Sequence, residues 1–336
     1  MASSRFAGID ALRIFGILAV ICGHVYGVPL THQWVYPWHV PLFFVLTGYL
    51  WSPGRSLWRE LSTRTTSLML PYVGWFVVVS VAVLLISSPT AIPNLSSLLT
   101  PLWGGTQARG QYGTFWFISV LFFTAVLYRA IDRLPRVVQW AIAAAGLAGA
   151  YFIGPQLASM PLGLGLALPS LIFVLAGRGV RDIEPRVSHP VTVGLALLGL
   201  SAAMIAFVPL AAVDVKYGQF GTPLAGVMVS VAIAMGLILI ARQVPFGARA
   251  GKATATLAAV GIAVVLSHPL VIWAGTSRGL QPKWTMVAAI LLPWAFALLV
   301  SRPGFSSVLL GTSRRKAPAS GTVRPDESSV EPANVR

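Results

Sequence analysis

An arginine and a histidine in the first apolar segment have residue types and a spacing that suit chemistry. Arg13 and His24 are eleven residues apart. In an α-helix this is almost three turns, so both side chains point the same way within about 20° and lie roughly 16 Å apart along the axis. Asp10, three residues before Arg13, is close enough to pair with it. A guanidinium binds anionic groups through a planar fork, and a neutral imidazole takes up a proton near physiological pH.

The apolar context makes these three residues costly to keep. An ionisable side chain inside a membrane span costs several kcal/mol unless it faces a protein interior or a wet cavity. Two other interpretations stay open: His24 as a buried histidine that only hydrogen-bonds a neighbouring helix, and Arg13 as a cation that snorkels to the inner interface. Their shared helix face with Asp10 favours a functional site.

Composition sets the class of protein. The chain has 336 residues, of which 56% are hydrophobic and 10% charged, and its mean hydropathy is +0.78. A soluble domain carries roughly 25% charged residues, so lipid must surround most of this chain. The net charge of +15 does not predict nucleic-acid binding, because the basic residues lie mostly in short loops and form no compact surface interleaved with aromatic residues. The single cysteine, Cys22, excludes an internal disulfide, and no metal-ligand cluster is visible.

Apolar runs of about 20 residues predict ten membrane helices. The predicted spans are 8–29, 37–52, 67–88, 114–131, 136–154, 159–179, 189–210, 221–241, 254–275 and 283–302. From about 303 onward the chain is rich in Ser, Pro, Arg and acidic residues, which is typical of disorder. The sequence therefore predicts an all-α, polytopic transmembrane bundle of about ten helices over 1–302, followed by a disordered cytoplasmic tail over 303–336.

The loop charges predict the orientation. With a cytoplasmic N-terminus, nineteen Lys and Arg residues fall on the inner side and four on the outer side, and Arg13 within a helix completes the total of 24. Basic residues concentrate on the cytoplasmic side of membrane proteins. We therefore expect both termini to be cytoplasmic. The protein itself is expected to be a multi-pass protein of the plasma membrane.

Five stretches of the chain resemble the acyltransferase-3 family of membrane acyltransferases. They are GIDALRIFGILAVICGH (8–24), with its Arg, ten residues and His; WHVPLFFVLTGYL (38–50); LMLPY (68–72); FWFISVLF (115–122); and LSHPLVI (266–272). Their order and spacing follow the family, and the stretches lie in five of the ten predicted helices. One departure lies before the third helix, where the family often has Arg-x-x-Arg and this chain has Arg64 followed by Ser67.

The resemblance implies transfer of an acyl group, commonly acetyl from acetyl-CoA, to a hydroxyl of an envelope carbohydrate, lipid or related acceptor. In that reaction His24 would be the general base, and Asp10 would orient or neutralise Arg13. A covalent acyl-histidine stays open. The phosphates of the acyl-CoA donor would bind Arg55, Arg59 and Arg64 on the second cytoplasmic loop. No metal is expected.

Three further residues are candidates for the acceptor site: His39, Trp116 and His268. A packing role is an alternative for Trp116 and His268, and the aromatic residues beside His39 suit an interfacial belt. Two rival functions also stay open. A transporter or exporter of a carbohydrate or lipid intermediate would use buried ionisable groups too, although no internal repeat is visible. A membrane scaffold or sensor would tolerate alanine at Arg13 and His24.

Overall fold

The computed structural model describes residues 2–87, 96, 99–301 and 306–311, and these are almost entirely helical. The α-helices are α1 Ala2–Tyr26, α2 Pro29–Trp34, α3 His39–Tyr49, α4 Leu57–Arg64, α5 Leu70–Ile86, α6 Phe115–Ile131, α7 Arg136–Ser159, α8 Ala167–Ile183, α9 Pro190–Phe207, α10 Ala225–Ala241, α11 Ala248–Ala259, α12 Gly261–Thr276, α13 Pro282–Val300 and α14 Ser306–Leu310. Within these ranges one hairpin is present, in which strand β1 (Val213–Asp214) pairs antiparallel with β2 (Gln219–Phe220). Short 3-10 turns connect several of these elements.

The all-helical, polytopic architecture predicted from the sequence is confirmed. Among the described residues, seven helical segments are long and apolar enough to cross a membrane, and α11 with α12 makes an eighth if this pair is one span bent by 60°. The two remaining predicted spans form shorter helices. The predicted span 37–52 contains α3, an 11-residue helix, and 221–241 contains α10, with 17 residues. At 1.5 Å per residue, α3 is about 16 Å long and cannot cross a core of about 30 Å alone.

The helix that contains the third predicted span begins ten residues early. Ser56 caps α4 by accepting a hydrogen bond from the Arg59 backbone nitrogen, and the π-helical segment Thr65–Met69 joins α4 to α5. Leu57–Ile86 is therefore one segment of 30 residues. The sequence prediction placed Arg59 and Arg64 in a loop, which is wrong, because this cap starts a helix before them.

Helix α1 packs against five other helices of the bundle, α3, α10, α11, α12 and α13. A second close contact joins α3 to α8, where glycines let the backbones touch. A Cβ atom on Gly177 would lie 1.9 Å from the Val45 carbonyl oxygen, and one on Gly48 would lie 1.8 Å from the Val174 oxygen. Small residues at such positions allow membrane helices to approach closely.

The predicted disordered tail is described only in part. Residues 306–310 form α14, where Leu309 and Leu310 are buried. Trp75 on α5 donates a hydrogen bond of 2.9 Å to the Leu309 carbonyl. This short stretch is helical because its apolar side chains have a packing partner in the bundle, and residues 312–336 lie outside the described residues.

Candidate active site

A pocket of about 420 Å³ lies at the end of the bundle where α1 ends. Helix α1 contributes His24 to its wall, the start of α3 contributes His39, α6 contributes Trp116, and the β1–β2 hairpin contributes Asp214 and Lys216. Three of the residues predicted from the sequence, His24, His39 and Trp116, therefore lie in one pocket. Ligand pockets are typically apolar with a few convergent polar groups, and this one has that character.

His24 is hydrogen-bonded to a second histidine from the other end of the sequence. His24 Nδ1 lies 2.9 Å from His268 Nε2, and the two rings stack with centroids 5.1 Å apart. His268 Nδ1 is in turn 3.0 Å from the Val264 carbonyl oxygen, one helical turn earlier. His268 is 0% exposed and lies behind His24, whereas His24 lines the pocket.

The two histidines lie on α1 and α12, and these helices also contact each other two turns before the histidines. A Cβ atom on Gly261, at the start of α12, would lie 2.8 Å from Ile17 Cδ1 on α1. The glycine follows the bend between α11 and α12. Because residue 261 lacks a side chain, α12 can pack directly against Ile17, and the two imidazoles meet farther along both helices.

His39 forms a second polar point in the pocket. Its Nδ1 donates a 3.0 Å hydrogen bond to the Val35 carbonyl, and its side chain is almost fully buried. The Tyr36 ring lies beside it, with centroids 4.9 Å apart, and stacks on His32 on its other side. Burial raises the pKa of Tyr36 to about 12, so its hydroxyl stays protonated.

The hairpin supplies two charged residues that the sequence prediction did not place in the site. Lys216 Nζ donates hydrogen bonds to the carbonyls of Ala108, at 2.6 Å, and Gly113, at 3.3 Å. Burial lowers the pKa of Lys216 to about 8, against the opposing effect of Asp214. Burial likewise raises the pKa of Asp214 above its ordinary value of 3.8. The available signal was an Asp-x-Lys pair in an otherwise apolar segment, VPLAAVDVKYGQF.

Arg13 and Asp10 lie apart from the pocket. Arg13 Nη1 is 3.1 Å from Asp10 Oδ1, and the Arg13 side chain is 42% exposed. Gly8, in the same helix, contacts the backbone of Ala241, which is the last residue of α10. The predicted pairing of Asp10 with Arg13 is therefore present, part-way along α1 and about three turns from His24.

The three arginines predicted to bind the donor are arranged around a buried acid. Glu60, which is 1% exposed, accepts from Arg64 Nε at 2.8 Å and lies 3.5 Å from Arg55 Nη1. The buried Arg129 donates to it at 3.2 Å. Arg59, in contrast, is exposed. The structure thus brings Arg55 and Arg64 together and leaves Arg59 on the outer surface of α4.

An aromatic ring and a second acid complete this charged cluster. The Arg129 guanidinium lies 4.2 Å from the centroid of the Trp51 ring and is paired with Asp132. The Trp51 indole nitrogen donates to the same carboxylate at 3.1 Å. With three arginines and two carboxylates, the cluster keeps one net positive charge, which suits an anionic ligand at its exposed edge.

Loops that the charge count assigns to one side of the membrane do meet at one end of the bundle. Arg242, after α10, pairs with Glu184, after α8, at 2.9 Å. Arg136, at the start of α7, pairs with Asp182 at 2.7 Å. These contacts join the loops on the same side as the Glu60 cluster, opposite the histidine pocket.

Comparison with known proteins identifies the family. The acyltransferase-3 family, described as "Acyltransferase domain", matches residues 6–302, which include every residue that lines the pocket. A stretch of 120 residues is 29% identical to "Nodulation protein NolL" from Mesorhizobium japonicum, and it covers 35% of this chain and 30% of that relative. The chain thus matches less than a third of the relative's length. No solved structure gives a significant match. The chain therefore belongs to the acyltransferase-3 family of integral membrane proteins.

Proposed function

We propose that this protein transfers an acyl group, in the first instance acetyl, from cytoplasmic acyl-CoA to a hydroxyl of an envelope carbohydrate, lipid or related acceptor, with His24 as the general base. One observation carries the proposal. The His24 imidazole lines the pocket, and its Nδ1 is held by His268 from behind. A base needs one nitrogen within reach of a substrate and a partner that orients the ring, and the place of His24 in the pocket wall and its bond to His268 support this role.

The reaction is written with His24 as the proton carrier. The acceptor oxygen attacks the thioester carbonyl carbon while His24 removes the hydroxyl proton. A carbon–oxygen bond forms, the carbon–sulfur bond breaks, and the proton passes from His24 to the departing sulfur. The products are an ester and the free thiol of coenzyme A. General-base assistance of this kind contributes about 10²- to 10⁴-fold to rate.

The donor would enter from the end that carries the Glu60 cluster. Arg55 and Arg64, at 38% and 23% side-chain exposure, retain accessible surface beside their shared partner. With Arg59 they would hold the phosphates of coenzyme A through charge-assisted hydrogen bonds. Arg13 lies part-way along α1, and the extended arm of the donor would pass it on the way to His24. The orientation with this end in the cytoplasm rests on the distribution of basic residues in the loops.

The acceptor would occupy the pocket from the opposite side. The pocket wall combines the rings of Tyr36, Trp116 and Trp273 with the polar groups of His39, Asp214 and Lys216. Apolar ring faces beside a few fixed donors and acceptors suit a sugar or another hydroxyl-bearing group. His39 would accept a hydrogen bond from the acceptor through Nε2, because its Nδ1 is engaged by Val35.

Mass spectrometry of envelope glycans and lipids tests this function. Cells with the gene should show an acyl mass increment that cells without it lack, and that increment would identify the acyl group and the acceptor. His24→Ala should abolish it at unchanged expression. His189→Ala is the matched control, because His189 is exposed and does not line the pocket. Loss of substrate export with acylation intact would contradict the enzyme and support a transporter.

A further inference from the structure

The bond between the two histidines determines which nitrogen of His24 carries a proton. A backbone carbonyl only accepts hydrogen bonds, so the contact between His268 Nδ1 and the Val264 oxygen requires a proton on that Nδ1. In neutral His268 the Nε2 atom is then an acceptor. It lies 2.9 Å from His24 Nδ1, which must therefore be the donor. His24 Nε2 is left without a proton.

We infer that His268 is a positioning residue that fixes His24 in the tautomer with Nδ1 protonated and Nε2 free to act as a base. The catalytic meaning of this inference rests on the proposed function. His268 does not touch the pocket and is 0% exposed. It therefore acts through His24, and the acceptor-binding role expected from the sequence is replaced by orientation of the base.

The surroundings explain why an imidazole suits this role. His268 lies in a buried stretch of its helix, in which Val264, Val265 and Leu266 are buried as well. An ionised carboxylate at the same place would lose its hydration, which is costly in an apolar site. A neutral imidazole avoids that cost. When His24 takes up a proton, its Nδ1–H bond to His268 becomes charge-assisted and roughly twice as strong. The pair therefore favours the protonated base that forms during transfer.

Nitrogen NMR tests the tautomer without reference to activity. The chain has five histidines, so the full-length protein labelled with ¹⁵N-histidine gives a small set of ring signals, and the spectrum of His24→Ala assigns His24. We expect the His24 proton on Nδ1. His268→Gln should keep it there, because the Gln oxygen can accept from His24. His268→Leu should give a mixture of tautomers. A wild-type protein with the His24 proton mainly on Nε2 would overturn the inference.

Kinetics test the consequence. The assay measures coenzyme A thiol released from acetyl-CoA, with envelope extract from cells lacking the gene as the acceptor. His268→Leu should lower kcat by about 10²-fold and leave the acceptor KM within about twofold, because His268 orients the base and does not touch the acceptor. His268→Gln should recover kcat to within about 10-fold of wild type. An unchanged kcat in His268→Leu, or a loss confined to KM, would contradict a positioning role.

One further variant serves as a control, and two outcomes separate the inference from the proposed function. His268→Asn retains a polar group near Val264 but is too short to reach His24, so it should fold and still lose activity as His268→Leu does. Equal activity of the Asn and Gln variants would overturn the inference. If no preparation transfers acetyl groups, the proposed function fails while the NMR result still decides the tautomer. If transfer depends on His24 but the proton is on Nε2, the function stands and the inference falls.

Discussion

Lys216 Nζ donates a 2.6 Å hydrogen bond to the Ala108 carbonyl, and this contact ties the β1–β2 hairpin to the segment before α6. A second bond from the same nitrogen reaches the Gly113 carbonyl. Lys216 therefore holds the hairpin in place as part of the pocket wall. A buried ammonium is penalised by lost hydration, whereas the neutral amine can still donate both bonds.

The first prediction concerns pH. Burial lowers the pKa of Lys216 from its ordinary 10.5 to about 8. Between these values the unfolded chain holds a proton that the folded protein has released, so the contribution of Lys216 to stability increases as pH rises from about 8 to about 10.5. Thermal unfolding of wild type and Lys216→Met in detergent measures this. The unfolding midpoint of wild type should rise relative to that of Lys216→Met as pH increases from about 8 to about 10.5. A difference between the two midpoints that does not change with pH would contradict the lowered pKa.

The second prediction concerns the acid at the centre of the basic cluster. Glu60→Gln removes the charge that Arg55, Arg64 and Arg129 share. Because Arg129 is buried and would keep only Asp132 as an acidic partner, we expect a loss of about 1–3 kcal/mol, the cost of removing one partner of a buried polar group. We expect a lower thermal midpoint and poor yield. Arg59→Ala, on the exposed face of the same helix, is the control and should stay within about 0.5 kcal/mol. Equal stability of both variants would show that Glu60 is not the centre of the cluster.

The third prediction separates two glycines on α8. A Cβ on Gly177 would lie 1.9 Å from the Val45 carbonyl oxygen, whereas one on Gly179 meets nothing within 4 Å. Gly177→Ala must push α3 and α8 apart, which costs about 1–3 kcal/mol or more. Gly179→Ala should be neutral or stabilising by up to about 1 kcal/mol, since alanine favours helix. Unfolding midpoints measure both. A Gly177→Ala protein as stable as Gly179→Ala would contradict the close contact.

The fourth prediction concerns the cation on α1. One nitrogen of Arg13 is engaged by Asp10, which leaves the rest of its planar fork for the donor. Lysine preserves the charge but lacks the fork. We therefore expect Arg13→Lys to lower acetyl transfer by about 10-fold at unchanged expression. Arg249→Lys, an exposed position, is the matched control. Full activity of Arg13→Lys would show that only the positive charge of Arg13 is needed, and not its planar guanidinium.

The sequence predicts the membrane architecture well because the constraint is local. A run of apolar residues long enough for a bilayer identifies itself without knowledge of its neighbours. The exceptions are local too. Helix α3 stops after Tyr49 although the predicted span continues to residue 52, and the bend between α11 and α12 interrupts a run that looks continuous. Hydropathy depends only on composition. Neither the end of α3 nor the bend between α11 and α12 changes the local composition enough to be detected.

The site is predictable only up to the helix on which each residue lies. Helical spacing indicates that Arg13 and His24 share a face, but it does not indicate which neighbour that face meets. The partner of His24 is 244 residues away in the chain, and no pattern within one helix encodes such a contact. The same reason explains Lys216, which reads as an ordinary loop charge until the hairpin places it against Ala108.

The packing of Gly261 on Ile17 has a mechanical consequence. Ile17 lies seven residues before His24, and Gly261 lies seven residues before His268. The parallel helices α1 and α12 therefore contact each other at two levels about 10 Å apart. A shift of α12 by one residue relative to α1 would also turn His268 by about 100° about the helix axis, and this rotation would break its bond to His24. The bond between the two histidines therefore depends on the register of α12 against α1. A substitution at Gly261 would shift that register and weaken the contact between the imidazoles two turns away.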